Sequence, residues 1–195
     1  MKHLCRLTAT ALCLLATALF TACGNSNKKE SPTPLSLSDM TGEYAGTFDF
    51  TPSPSSLNPS PEAQNGVEVS LRVEDGRIVI PRFPASTLVT ALLGEEQAAQ
   101  LLTMLGDISY EVEIGTPTAD DMQLSAALTA PQLRIDLAGV LVVLIDIEAP
   151  AKMTFTRSGT LAFTLRTTRC QLGEGASAGE PFELVNELKF KLTRK

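Results

Sequence analysis

Few residues in this chain are equipped for chemistry. It holds one histidine, His3, and four cysteines, Cys5, Cys13, Cys23 and Cys170. A serine or cysteine nucleophile needs a nearby base to take its proton. A zinc site needs three or four clustered His, Cys or carboxylate ligands. Past residue 22 there is no histidine. That absence removes Ser/His/Asp triads, Cys/His dyads and imidazole-bound metals together. Cys170 has no neighbouring thiol to complete a metal site or resolve an oxidised sulfur. Arg166 and Arg169 would lower its pKa if they faced it. A small, partly buried thiol at a strand end is the plainer reading.

Carboxylates give no stronger signal. Asp120-Asp121 follows Pro117 and precedes an alternating run, which suggests a turn. Were the pair in a strand, the side chains would point to opposite faces. Glu111 and Glu113 do share a face, but they alternate with Tyr110, Val112 and Ile114 and so should face water. A retaining glycosidase needs two carboxylates about 5 Å apart, one of them desolvated. Asp120 and Asp121 also lack the spacing of a calcium loop. Lys189, Lys191, Arg194 and Lys195 alternate with apolar residues and read as a solvated face. Gly173, Gly175 and Gly179 follow no strand-to-helix pattern that would cradle phosphate. The expectation is a non-enzyme with no catalytic residue, no metal and no cofactor.

The thiol with a chemistry of its own is Cys23. Lys2 and Arg6 precede an uncharged apolar run, residues 7–22. That run is shorter than the ~20 residues of a spanning helix. It ends in Phe20-Thr21-Ala22-Cys23. Small residues before a cysteine resemble the lipobox of bacterial lipoproteins, with Phe20 where leucine is usual. The resemblance implies a signal peptide over 1–22, cleavage before Cys23, and a diacylglyceryl group on its sulfur. An ordinary cleaved signal or a transmembrane anchor is the alternative. Each buried CH₂ contributes about 0.8 kcal/mol, so two or more acyl chains, such as palmitate, hold a protein on a membrane where one does not.

Cleavage there changes the charge. The leader carries two of the 16 basic residues and none of the 22 acidic ones, so the formal charge moves from −6 to −8. An acidic body argues against nucleic acid, whose phosphates need Lys and Arg. With Cys23 acylated, Cys170 is the sole remaining thiol, and no internal disulfide can form.

The elements that would position any site are mostly strands. Residues 23–38 read as a lipidated flexible tether, and 39–195 as one domain. Val67, Val69, Leu71 and Val73 alternate with polar residues up to Asp75-Gly76, a hairpin signal. Pro81 should end the return strand. Tyr44, Gly46, Phe48 and Phe50 share a face. So do Ile108 to Ile114, Met122 to Leu128, Leu133 to Leu137, Met153 to Phe155, Leu161 to Leu165, and Leu188 to Leu192. About 8–10 short strands joined by turns predict an all-β, mainly antiparallel fold, a barrel or sandwich. The Pro/Ser-rich stretch 51–65 reads as a long loop, and 173–181 as another. A helical insertion near residues 86–105 breaks the pattern: Leu88, Val89, Leu92 and Leu93, then Ala98, Leu101, Leu102 and Leu105, recur at helical spacing around Gly94. Residues 140–145, VLVVLI, are apolar throughout and predict a strand covered on both faces, with the helices as its cover.

The lipobox, a short tether and Gly42-Glu43-Tyr44-Ala45-Gly46-Thr47 at the first strand together resemble the lipoproteins of Bacteroidetes that carry calycin-like, lipocalin-like barrels in domains of unknown function. The resemblance implies a calycin-like β-barrel at the cell envelope and carries over no binding residue. Lipoproteins of that group displayed on the surface often have acidic residues just after the lipidated cysteine. Residues 24–29 have none, which favours the periplasmic face of the outer membrane. Two functions follow. One is a small apolar ligand held in a cavity lined by Tyr44, Phe48, Tyr110 and Phe163. The other is a structural or interaction module with a packed core and an envelope protein as partner. In both, the membrane is reached through the lipid anchor.

Overall fold

A computed structural model describes residues 33–195. The leader, Cys23 and the tether as far as residue 32 lie outside the described residues. Thr33–Lys195 forms one compact unit.

Alternation becomes strands where expected. β1 (Gly42–Pro52) pairs antiparallel with β2 (Gln64–Glu74), Tyr44 opposite Leu71 and Phe48 opposite Val67, with a register shift between Phe48 and Phe50. Asp75 (φ 49°) and Gly76 (φ 73°) turn the chain into β3 (Arg77–Ile80). Both angles are positive, as the primed hairpin turn requires. β3 ends just before Pro81 and pairs with β4 (Tyr110–Ile114).

β4 and β5 (Thr118–Ala119) form one arm of a hairpin. The other arm is β6 (Gln123–Ala126) with β7 (Leu128–Thr129). β5 pairs with β6 and β4 with β7, and Gly115 N–H donates to the Ala127 carbonyl at 2.9 Å between them. On its far edge β6 pairs with β10 (Met153–Thr156). Then β10 pairs with β11 (Thr160–Leu172), β11 with β13 (Asn186–Arg194), and β13 with β1. One antiparallel sheet thus curls into a half-barrel, and the ends of its hydrogen-bonded path, β5 and β7, belong to the two arms of a single hairpin. The fold is all-β, as expected. Thirteen segments stand where 8–10 strands were expected, because several strands are broken at an irregular residue such as Ala127.

β8 (Leu133–Leu137) and β9 (Leu141–Glu148) form a second hairpin. β9 lies along the second half of β11, Arg166 to Leu172, with a register shift between Thr167 and Arg169. β12 (Phe182–Glu183) holds the opposite edge of β11 there.

Three expectations need correction. The tether does not extend to residue 38: Leu35 and Met40 are buried, and α1 (Leu37–Met40) sits at the start of β1. Both side chains are apolar, and docking removes them from water. The loop 51–65 is shorter, since β1 runs through Pro52 and β2 begins at Gln64. Polar residues there still have backbone groups to pair, and the sheet supplies partners. Of the two forms open to the helical insertion, one kinked helix or two short ones, the structure has the second: α2 (Ala85–Leu93) and α3 (Glu95–Leu102), divided at Gly94 (φ 80°). Finally, the strand at 140–145 is not covered on both faces. Val143 and Ile145 are buried, Leu141, Val142 and Leu144 are only partly so, and Val140 is 69% exposed. Composition reports what a strand would prefer to bury; the edge of the sheet decides what it can.

Gly46 has a tertiary reason to be glycine. A Cβ there would lie 2.2 Å from the Lys191 carbonyl oxygen and 2.7 Å from Leu192 Cα. β1 and β13 therefore approach too closely for any side chain at this point.

Candidate functional site

The four residues expected to line a cavity all point into the core. Tyr44 is 0% exposed, Phe48 2%, Tyr110 4% and Phe163 5%. Register explains why three rings meet. Phe48 lies opposite Phe190 on β13, and Phe190 lies opposite Phe163 on β11. The Phe163 and Phe190 rings stack at 4.6 Å, and Phe48 tilts against Phe190 at 5.5 Å. Tyr110 packs on Phe83 at 4.7 Å, and its hydroxyl donates to the Pro131 carbonyl at 2.5 Å. These rings fill each other's space, and burial holds the Tyr110 hydroxyl far above its ordinary pKa.

Tyr44 belongs to a cluster that alternation cannot reveal. Its hydroxyl donates to the Met40 carbonyl at 2.5 Å, and its ring stands edge-on to Phe155 at 6.4 Å. The Arg194 guanidinium lies 5.7 Å from the Tyr44 ring centre and 5.5 Å from that of Phe155. Arg194 also donates to the carbonyls of Asp39 and Thr41. A cation against two aromatic faces and two carbonyls is well placed electrostatically. Arg157 plays a parallel part: Nη2 donates to the Thr33 carbonyl at 2.5 Å and Nε to the Asp121 carbonyl at 2.7 Å. Two arginines thus bind residues 33–41 to this end of the sheet. In the sequence Arg194 reads only as part of a solvated face.

The candidate chemical residues are accounted for by structure. Asp120 Oδ1 accepts from the N–H groups of Met122 and Gln123 at 2.8 and 2.7 Å, which closes the hairpin turn and lowers the carboxyl pKa. Glu111 pairs with Arg77 at 3.3 Å in solvent. Glu113 faces water on the same side. Cys170 is 1% exposed, and burial pushes its thiol up to about 12. Arg166 is held by Glu148 rather than turned to the thiol. Among the described residues no group of three or more His, Cys, Asp or Glu could hold a metal. No described helix is long and apolar enough to cross a membrane.

One open groove reaches the core. Where β3 stops at Ile80, α2 and α3 stand beside β2, and Phe48, Val67, Val69, Phe83, Leu102 and Leu105 line a space of about 330 Å³ between them. Arg82 and Asp107, paired at 3.1 Å, stand at its rim. Phe48 is the one expected cavity residue found among its lining residues. The side position went unpredicted because it depends on where a long-range pairing ends.

A family model matches residues 39–170, and the chain belongs to that family, the domain of unknown function DUF4840. The match begins in α1 and ends in β11, so β13, which joins β11 to β1, lies beyond it. No curated protein and no solved structure matches the chain.

Proposed function

We propose that the protein is a lipoprotein of the bacterial cell envelope, cut before Cys23, lipid-anchored to a membrane, and acting as a non-enzymatic interaction module through its outer surface. The single observation that supports the second half is the aromatic interior, where the rings of Phe48, Phe163 and Phe190 lie against one another. The first half rests on the apolar leader ending in Thr21-Ala22-Cys23. The absence of acidic residues over 24–29 supports the periplasmic face of the outer membrane.

Growth of the host on radioactive palmitate tests the anchor. The wild-type chain should carry label and sediment with membranes, and Cys23→Ser should lose both properties. An unlabelled wild-type chain that fractionates like Cys23→Ser would refute it. Crosslinking in intact cells tests the module, with a partner captured above background expected.

The groove favours a second reading. A space of about 330 Å³ with Phe48 at its base falls in the size range of small-ligand sites. It would admit a compact apolar ligand from the side of the sheet, between β2 and α3, rather than at the barrel mouth. Val67→Trp, which fills the groove from β2, should abolish binding of any such ligand and leave the fold intact.

A further inference from the structure

We infer that β8 is a self-complementary edge through which two copies of this chain pair. This deepens the interaction-module reading by naming the partner.

Hydrogen-bond direction decides which backbone groups of β8 are paired. Among the described residues, β8 has one strand neighbour, β9. In an antiparallel ladder each residue directs its N–H and C=O to one side, and successive residues alternate. The Leu137 carbonyl accepts from Val140 N–H at 3.0 Å, so Leu137 faces β9. By alternation Ile135 and Leu133 do too. The N–H and C=O of Arg134 and Asp136 then point to the free side, and no backbone partner for them occurs among the described residues. Both side chains are well exposed, at 46% and 42%. Leu133, Ile135 and Leu137 are buried. Three common protections of an edge, proline, lysine and a bulge, are missing from Leu133–Leu137.

The sequence of β8 reads the same from either end in chemical terms. Leu-Arg-Ile-Asp-Leu, paired antiparallel about Ile135, sets Leu133 against Leu137 of the second copy and Arg134 against Asp136. The two Arg–Asp positions are those whose backbone groups are free, so they form the hydrogen-bonded pairs. Four backbone hydrogen bonds and two cross-strand ion pairs result, under a two-fold axis that closes the assembly at a dimer. At present Arg134 contacts Asp136 at 3.2 Å and Glu174 at 2.8 Å within its own chain, on the same exposed face. Exchange of Asp136 for its equivalent in the second copy therefore costs little. Confinement of both copies to one membrane would raise their effective concentration.

A charge-exchange series on the full-length chain tests this, read by sedimentation in mild detergent across concentration. Wild type should dimerise. Arg134→Asp places like charges opposite each other twice and should weaken the dimer about tenfold. Asp136→Arg should do the same, and the double exchange should restore association. A chain that stays monomeric throughout, or a dimer indifferent to both single exchanges, overturns the proposal. In membranes, a copy with Arg134→Cys should form a disulfide on mild oxidation with a differently tagged copy bearing Asp136→Cys, and two Arg134→Cys copies should crosslink far less. Absence of that preference overturns it as well. Neither failure touches the broader module reading, which fails separately if crosslinking in cells captures no protein at all.

Discussion

β11 passes through two different neighbourhoods. Its first half, Thr160–Arg166, lies between β10 and β13 inside the curled wall, with Leu161, Phe163 and Leu165 buried. Its second half carries β9 on one edge and only the two residues of β12 on the other, and leads outward to the free edge of β8. The bend between them is built from polar groups. Thr167 Oγ1 donates to the Leu184 carbonyl at 2.6 Å and accepts from Asn186 N–H at 2.9 Å, and both side chains are buried. Asn186 Nδ2 has no partner among the described residues. The comparison teaches that one strand can serve two ends. The wall concentrates the packing, and the β8–β9 flap concentrates unpaired backbone and partly exposed apolar surface. Stability should therefore depend on the first and association on the second.

Core truncation breaks this comparison most sharply. Phe190→Ala removes the ring that contacts both Phe48 and Phe163, and should cost about 3–5 kcal/mol by chemical denaturation. Gly46→Ala should cost roughly 2–3 kcal/mol despite adding one carbon, because backbone rather than a mobile side chain stands in its way. A neutral Gly46→Ala would mean that β1 and β13 are less close than described. Arg194→Met keeps much of the apolar stem but leaves the carbonyls of Asp39 and Thr41 without their donor. A loss of about 1–2 kcal/mol and faster hydrogen exchange over residues 35–41 should follow.

Titration sharpens the comparison, because each region has a lowered carboxyl. Asp120 in the wall hairpin is held down by the N–H groups of Met122 and Gln123. Asp136 in the flap is held down by Gly139 N–H and by Arg134. A carboxyl lowered on folding contributes stability above its unfolded pKa and loses it as pH falls through the folded value. Thermal stability should thus fall below about pH 4. Asp120→Asn should flatten that acid limb with little change in the alkaline direction. Smallest of all, Leu144→Ser on the outer face of β9 should change stability by no more than about 0.5 kcal/mol. A larger loss would mean that this face is covered in solution.

Much of the fold was legible because its signals are local. Alternation in Val67 to Val73 and the Asp75-Gly76 turn each depend on residues within one turn of chain, and both appear as read. Segments with few periodic residues misled. Leu35 and Met40 sit among polar neighbours, so their burial depends on where β1 and the Asp120 turn happen to meet them. VLVVLI states an appetite for burial, but coverage depends on which elements lie beyond β9. The four expected cavity residues are buried. Phe48, Phe190 and Phe163 meet because β1, β13 and β11 lie in register, and no single strand encodes that. The Arg194 clamp and the β8 edge were invisible for the same reason: one requires residues 155 positions apart to meet, the other requires knowing which strand has a single neighbour among the described residues.

The interaction-module reading requires an interior that holds no ligand. Native mass spectrometry of the protein purified from its own host under gentle conditions tests it most directly. The account predicts the mass of the processed, acylated chain, alone or doubled, with no further small molecule retained on the folded ion. A stoichiometric adduct of a few hundred daltons that is lost on unfolding would contradict it.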